Sequence, residues 1–472
     1  MQETEAFSQR GLDAEVASDL GATFESGRFV FAYKSHGKPT FRKIRRPGKE
    51  FHIEPSGAPL HFWNIDSVRK LGSKPKHPLV ITEGEFDTCA IKQSCNGVYV
   101  LSVPNGANGQ QSAGAIYPNK DTGFKYLWDE NGRLIHEIDQ FDKIILATDG
   151  DEKGILLRQE LSIRIGPGRC WYVLYPEGYK DPNDILLKWG ERGVARLIDI
   201  ARPIRPGHLL KPSELPNTGP ITTYSTGWAG LDPLMMVTRP ELMVVTGVPG
   251  HGKTLWARLL SCHLALAHGW RTAFLNPEDP HERLVRDIRR FADGKLAELQ
   301  EKGWKSASDW IDHHFRISNP PIDERITMPF VFNEMETSAF QHDCQVFVTD
   351  PWSAISHNRG NRTDTEYTED ILEDIKAKGR RLNLLNNIIA HPRKIDEGVK
   401  PDLNTINGSS HWRNKVDHGV SVYRSTPDDD FVQVCLRKCK DHETMGVPGT
   451  AWMTYKRETG DYTVDDINKT DK

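Results

Sequence analysis

Seven cysteines are scattered through the chain with no CxxC pair among them, which argues against a disulfide framework and against a structural zinc ribbon. No stretch approaches the run of about 20 apolar residues that a membrane helix needs, so no membrane association is expected. The opening MQETEAFSQRGLDAEV is acidic and lacks the basic-then-apolar layout of a secretory leader, so the expected location is the cytoplasm. Positive charge is not in excess either: 61 Lys and Arg stand against 65 Asp and Glu, a net charge of −4. A globally basic surface is therefore not how this chain would hold a nucleic acid, whereas a channel lined by a few basic loops still could. Internal repeats are missing too, which removes solenoid architectures.

What is present is ordinary globular composition, 37% hydrophobic and 27% charged, in 472 residues, too many for one core. Residues 1–70 mix strand-like pieces, Arg28–Tyr33 and Thr40–Ile44, with the basic residues Arg42, Lys43, Arg45 and Arg46. Residues 71–187 alternate apolar runs with helical stretches. LVIT (79–82), VYVLSV (98–103), KIILAT (143–148) and WYVLY (171–175) read as buried strands, and Gly154–Ile165 reads as a helix. A connection is expected over 188–225, punctuated by proline and glycine between Arg202 and Pro220. Residues 226–472 repeat the alternation with strands LMVVTG (242–247), TAFL (272–275), VFVTD (346–350) and NIIA (387–390). Both halves are thus expected to be α/β with mostly parallel sheets.

The sharpest local signal is Gly247-Val-Pro249-Gly250-His251-Gly252-Lys253-Thr254, which follows a strand and opens a helix. Glycines let the backbone curl its N–H groups around phosphate oxygens, and the helix N-terminus adds a favourable dipole. Lys253 would neutralise β- and γ-phosphates, and Thr254 would hold Mg²⁺. Asp350 closes an apolar strand, where its carboxylate would emerge near that metal. Glu278, in NPEDPHERL, is the candidate to orient water, although a carboxylate beside Asp279 and Pro280 also suits a helix start. His391 ends another apolar strand, within reach of a γ-phosphate. A second constellation joins Glu83, in VITEGEFD, to Asp149 and Asp151, in ILATDGDE. Both clusters end apolar strands, so these carboxylates would converge on Mg²⁺, which prefers hard oxygen ligands.

In order along the chain, GVPGHGKT, NPED, VFVTDPW, IIAHPRK, GSSHWRNKVDHGVSVYR and KCKDHETMGVPG…WMTYKRETG resemble the motifs of DnaB-like helicases, in particular phage-type primase-helicases and Twinkle-like helicases. The resemblance spans roughly residues 222–465. It implies a RecA-like P-loop ATPase in which Glu278 is the catalytic glutamate, Asp350 the metal-side aspartate and His391 the phosphate sensor. It further implies that Arg424 and Tyr455 hold the adenine of ATP (or the base of another NTP). Arg413 and Asn414 would couple nucleotide to DNA, and Arg393, Lys394 and the loop to Ser410 would grip single-stranded DNA. Where such helicases carry an arginine finger this chain has Lys440, with Arg437 nearby, and lysine lacks the planar fork of arginine.

The acidic module resembles the TOPRIM fold of primases and topoisomerases. SVPNGA (102–107) and KDPND (180–184) match further primase-helicase motifs, with Asp181 and Asp184 in support and Lys43 and Arg45 facing template or nucleotide. No zinc-binding template reader precedes it within the sequence, so primer synthesis is chemically available without its usual reader. The resemblance therefore implies a 5′ to 3′ helicase, a hexameric or heptameric homo-oligomer on single-stranded and forked DNA. DNA polymerase and single-strand-binding protein would be its partners, in a phage-infected or prophage-bearing bacterial cell. Two alternatives stay open: a RecA-like ring that loads DNA without unwinding it, and TOPRIM-type nicking.

Overall fold

The computed structural model describes residues 3–45, 51–69, 71, 75–106, 116–204, 221–320, 325–393, 396, 398–406, 411–425 and 429–468. The chain divides into two compact units, residues 1–218 and 219–472.

The first unit opens with an antiparallel sheet of β1 (Ala22–Glu25), β2 (Arg28–Ser35), β3 (Lys38–Arg45) and β4 (Phe51–Glu54). Aromatic side chains seal it to the layer below: Phe31 and Tyr33 are fully buried, and Phe31 meets Trp63 and Phe86 edge-on. That layer is a five-stranded sheet of β5 (Leu79–Thr82), β6 (Tyr99–Ser102), β7 (Ile144–Ala147), β8 (Cys170–Tyr172) and β9 (Arg202–Pro203), in the order β6-β5-β7-β8-β9. All pairings are parallel except that of β9. LVIT and IILA are buried at every position, the continuous apolar signature of strands covered on both faces. Thr82 pairs with Ala147 in β7, so the acidic turns after β5 and β7 leave the sheet side by side.

The connection expected from residue 188 begins later. Residues Pro182–Asp199 are helical and bury Ile185, Trp189, Val194 and Leu197, and β9 then adds to the sheet. Gly190, at φ +68°, breaks that helix in the middle. It puts the apolar residues on either side out of phase, which is why their periodicity reads poorly. Of the expected connection, residues 205–220 lie outside the described residues.

The second unit is built on a nine-stranded sheet of β10 (Glu241–Thr246), β11 (Thr272–Leu275), β12 (Phe315–Ser318), β13 (Val346–Thr349), β14 (Leu385–Ala390), β15 (His418–Tyr423), β16 (Phe431–Cys439), β17 (Gly449–Lys456) and β18 (Asp461–Asn468). Its order is β12-β11-β13-β14-β10-β15-β16-β17-β18. The strands from β12 across to β15 run parallel, and β15 to β18 are antiparallel. The helix Lys253–His268 follows β10 and drives Trp256, Leu259 and Leu264 into the core, where Trp228 stacks on Trp256. Among the described residues no helix is long and apolar enough to cross a membrane.

Gly154 shows how closely the acidic turn is held. A side-chain carbon there would lie 2.2 Å from the Asp149 carbonyl oxygen and 2.7 Å from the Asp149 Cβ, and backbone cannot yield cheaply. Gly154→Ala should destabilise the first unit by about 1–3 kcal/mol, measured by urea denaturation. A variant as stable as the parent would show that the helix can shift without disturbing Asp149.

Candidate nucleotide and carboxylate sites

After Thr246 the chain turns through Gly247, Pro249 and Gly250 and enters its helix at Lys253. Gly250 and Gly252 sit at φ +84° and +90°, backbone that residues with a Cβ avoid. Such a turn at a helix N-terminus is a ready-made anion site. His251 pins it to the end of β15, its Nδ1 accepting the Arg424 N–H at 3.1 Å.

Parallel register delivers the other groups to the same edge. Thr246 pairs with Ala390 and Thr349 with Ile388, so His391 and Asp350 emerge beside the loop. The Thr254 hydroxyl donates to the Asp350 carboxylate at 3.3 Å. Burial pushes the Asp350 carboxyl up to about 6, against the pull of Arg258, the Thr254 hydroxyl and Lys253. Burial also lowers the pKa of Lys253, opposed by Asp350, Glu278 and Asp279. The Glu278 carboxylate lies 4.0 Å from His391 Nε2. Burial and Lys253 lower the pKa of His391, so a neutral ring faces the carboxylate at pH 7. Glu278 is left exposed because its neighbour Asp279 binds the structural partner: Arg258, from the helix behind the loop, holds Asp279 at 2.8 Å and Asp287 at 2.9 Å. Arg258 carries no motif signal, and only the fold reveals it.

At the other end of the loop the Arg424 guanidinium and the Tyr462 hydroxyl come within 3.2 and 3.3 Å of where a Gly252 side-chain carbon would stand. Tyr455 meets Tyr462 at 5.3 Å between ring centroids. Arg424 and Tyr455 are thus brought to one end of the loop, each against Tyr462, a residue the sequence did not single out.

Lys440, Arg437, Arg413 and Asn414 are elsewhere. Cys439 pairs with His418 at the start of β15, whereas the nucleotide loop follows strand ends, roughly 15–20 Å away along the sheet. Lys440, with its side chain 61% exposed, meets Asp417 at 3.6 Å. Arg437 is the extra residue of a bulge opposite Gly419 and Val420. The carbonyls of Arg413 and Asn414 accept from Lys438, at 2.5 and 3.0 Å. The Arg393 N–H donates to the Thr405 carbonyl at 2.7 Å, closing the base of its loop. Lys394 and residues 407–410 lie outside the described residues.

In the first unit a hollow of about 560 Å³ opens over the acidic turns, walled by Lys43, Arg45, Glu83, Asp149, Lys180 and Asp181. The Asp149 N–H donates to the Glu83 carboxylate at 3.4 Å. Burial, then Glu83 and Asp181, push the Asp149 carboxyl up to about 7. Burial, then Asp181 and Asp149, hold the Asp87 carboxyl well above the usual range. Asp151 and Asp181 both cap helices, accepting from the N–H groups of Gly154 at 3.0 Å and Asp184 at 2.7 Å. Asp184 in turn accepts the Lys180 N–H at 3.2 Å. Lys43 is spent on the buried Glu85, at 2.8 Å. Arg45 lies over the Phe86 ring.

Among the described residues no group of three or more His, Cys, Asp or Glu stands close enough to hold a metal. The expected convergence of Glu83, Asp149 and Asp151 is therefore incomplete: Asp151 is turned to its helix, and Lys180 approaches both it and Asp149, at 3.8 and 3.5 Å. The donor chemistry still fits Mg²⁺, because Glu83 and Asp149 offer two crowded carboxylates and this ion takes its remaining ligands from water or phosphate. Arg10, over the Phe86 ring at 4.0 Å and lining the same hollow, lacked any sequence signal.

Residues 78–172 match the family model of the Toprim domain. The Toprim domain is followed by the P-loop sheet of the second unit, so the chain is α/β throughout, as expected. The chain is 29% identical to the Twinkle homolog protein, chloroplastic/mitochondrial, of Arabidopsis thaliana over 92% of its own length and 64% of that protein. It is 32% identical to the Primase homolog protein of Arabidopsis thaliana over 37% of its length and 50% of that protein. It thus spans less than two thirds of either relative. A solved DnaB-like replicative helicase, described with its interactions with primase, is similar at a TM-score of 0.43 and 15% identity, over 52% of this chain and 64% of that one.

Asp149 gives the Toprim domain a signed pH response. Its carboxyl titrates at 3.8 as a free group and at about 7 when folded. Its contribution to stability is therefore complete below the lower value and lost as pH rises through the upper one. Asp149→Asn should leave stability almost unchanged near pH 4 and raise it at pH 8 by on the order of 2 kcal/mol, in urea denaturation of metal-free protein. A pH-independent difference would refute the crowded pair.

Proposed function

We propose that this chain is a nucleoside-triphosphate-driven motor for single-stranded DNA, a 5′ to 3′ helicase working as a hexameric or heptameric ring. Its Toprim domain would serve Mg²⁺-dependent phosphoryl transfer, with primer synthesis the leading activity. The observation that carries this reading is the constellation at one sheet edge: buried Lys253, Thr254 bonded to Asp350, and exposed Glu278 beside neutral His391. The similarity to the Twinkle homolog along most of this chain supports it.

In this reading Lys253 takes up β- and γ-phosphate charge. Thr254 and Asp350 hold Mg²⁺, which when bound neutralises the phosphate oxygens. Glu278 orients the attacking water and accepts its proton. His391 donates to the γ-phosphate and registers its departure. Arg424 and Tyr455 hold the base. Lys440 or Arg437, too far from their own nucleotide loop, serve that of a neighbour. Arg413, Asn414, Arg393 and Lys394 pass the change to the strand. In the Toprim domain Glu83 and Asp149 hold Mg²⁺, and Asp151, Asp181 and Asp184 shape the turns around them. DNA polymerase and single-strand-binding protein as partners, and a cytoplasm bearing a phage or prophage genome, belong to the same proposal.

Lys253→Ala should lower DNA-stimulated NTP hydrolysis by about 10²-fold or more and abolish unwinding of a forked duplex. Normal unwinding by that variant sinks the motor. Hydrolysis by the parent protein without strand separation would instead favour a ring that only loads DNA. On a single-stranded template with Mg²⁺ and NTPs, the parent should make primers that Asp149→Ala does not. Primers made equally by both would remove Asp149 from the site, and nicks in place of primers would assign the Toprim domain to cleavage.

A further inference from the structure

Beyond the γ-phosphate side of the nucleotide loop the second unit has a pocket that no step above uses. Along the sheet edge the base-binding end of the nucleotide site follows β15, the loop follows β10, and His391 follows β14. The pocket lies one strand further, between the ends of β14 and β13. It measures about 310 Å³, and its walls include Trp352, His357, Tyr367, Thr368 and His391. In the reading above a nucleotide held in the loop would point its base toward Arg424 and Tyr455, the opposite way, and leave this space open.

Its walls are aromatic and anchored. Trp412, fully buried, meets Trp352 edge-on at 89° and fixes its ring. His357 lies 4.6 Å from Trp352 with the two planes splayed by 37°, which leaves a wedge rather than a closed stack. The Tyr367 hydroxyl lies 3.2 Å from His357 Nδ1 and holds that ring in turn. Two guanidinium groups stand at the rim, each ion-paired on the protein: exposed Arg359 with Asp364, and Arg362, which lies over the Tyr367 ring at 5.0 Å, with Asp370 at 3.0 Å. Rings to stack on, polar edges, and guanidinium groups outside that a phosphate could draw from their aspartates are the chemistry that takes a base of single-stranded nucleic acid. His391 forms a shared wall, and its Nδ1, buried, has no hydrogen-bond partner among the described residues.

We propose that this pocket receives one base of a bound DNA strand, stacked against Trp352, with His391 as the wall it shares with the nucleotide site. The inference rests on the motor reading and gives it a second grip, on the base rather than the backbone. Pocket occupancy then reaches the hydrolytic site through the ring that senses phosphate.

The test compares a labelled oligothymidylate with an abasic oligomer of equal length, by fluorescence anisotropy with a non-hydrolysable ATP analogue present. The parent should bind the oligothymidylate about tenfold more tightly. Trp352→Ala should bind both strands alike, and Trp352→Phe should regain most of the preference. Equal binding of the two strands by the parent overturns the pocket alone, as does an unchanged preference in Trp352→Ala. If the parent binds neither strand, the pocket and the motor fall together. Should Trp352→Ala fail to fold, the parent's ratio and that of Trp352→Phe still decide.

Discussion

A buried lysine and a buried aspartate share one hydroxyl-bearing neighbour at the edge of the second unit's sheet, and the packing of that unit keeps them there. Neither charge is comfortable: burial drives the Asp350 carboxyl up and the Lys253 ammonium down. Taking charged groups out of water is costly unless partners compensate. The parallel register of β10, β13 and β14 forces the two together, and hydrophobic side chains such as Trp256 and Leu259 fix the helix that carries the lysine. A polyanion with its cation would relieve the strain on both.

The Toprim domain meets the same problem with one sign of charge. Glu83 and Asp149 crowd each other, and Lys180 offers partial compensation at the rim. Two further aspartates nearby are committed to helix starts. Acidic residues at strand ends thus do two different jobs, and a sequence pattern counts both alike.

That distinction marks how far the residues alone could be read. LVIT, IILA and TAFL were legible because strands covered on both faces are apolar throughout. The strand-to-helix turn at Gly247–Thr254 was legible because glycine spacing, lysine and threonine at that point mark a phosphate-binding pattern. The strands β16 to β18 were not, since one-sided burial mixes Gln, Lys and Asp among their apolar residues and a bulge shifts the phase. Arg258 and Arg10 were invisible for another reason. Each acts through partners distant in sequence, Asp279 and Asp287 for one and Phe86 for the other. Asp151 was found, and in this structure it caps a helix; the pattern could not separate the two uses, because capping and metal ligation ask for the same side chain.

The nucleotide loop and the exposed Lys440 lie at opposite edges of one sheet. In two copies related by a twofold axis, both loop-to-lysine contacts would have to form across one self-complementary patch. Head-to-tail stacking joins the unlike edges once per interface, and such contacts close into a cycle or run on as a filament. The strand directions in this protomer therefore already give any head-to-tail assembly that uses both edges a front and a back.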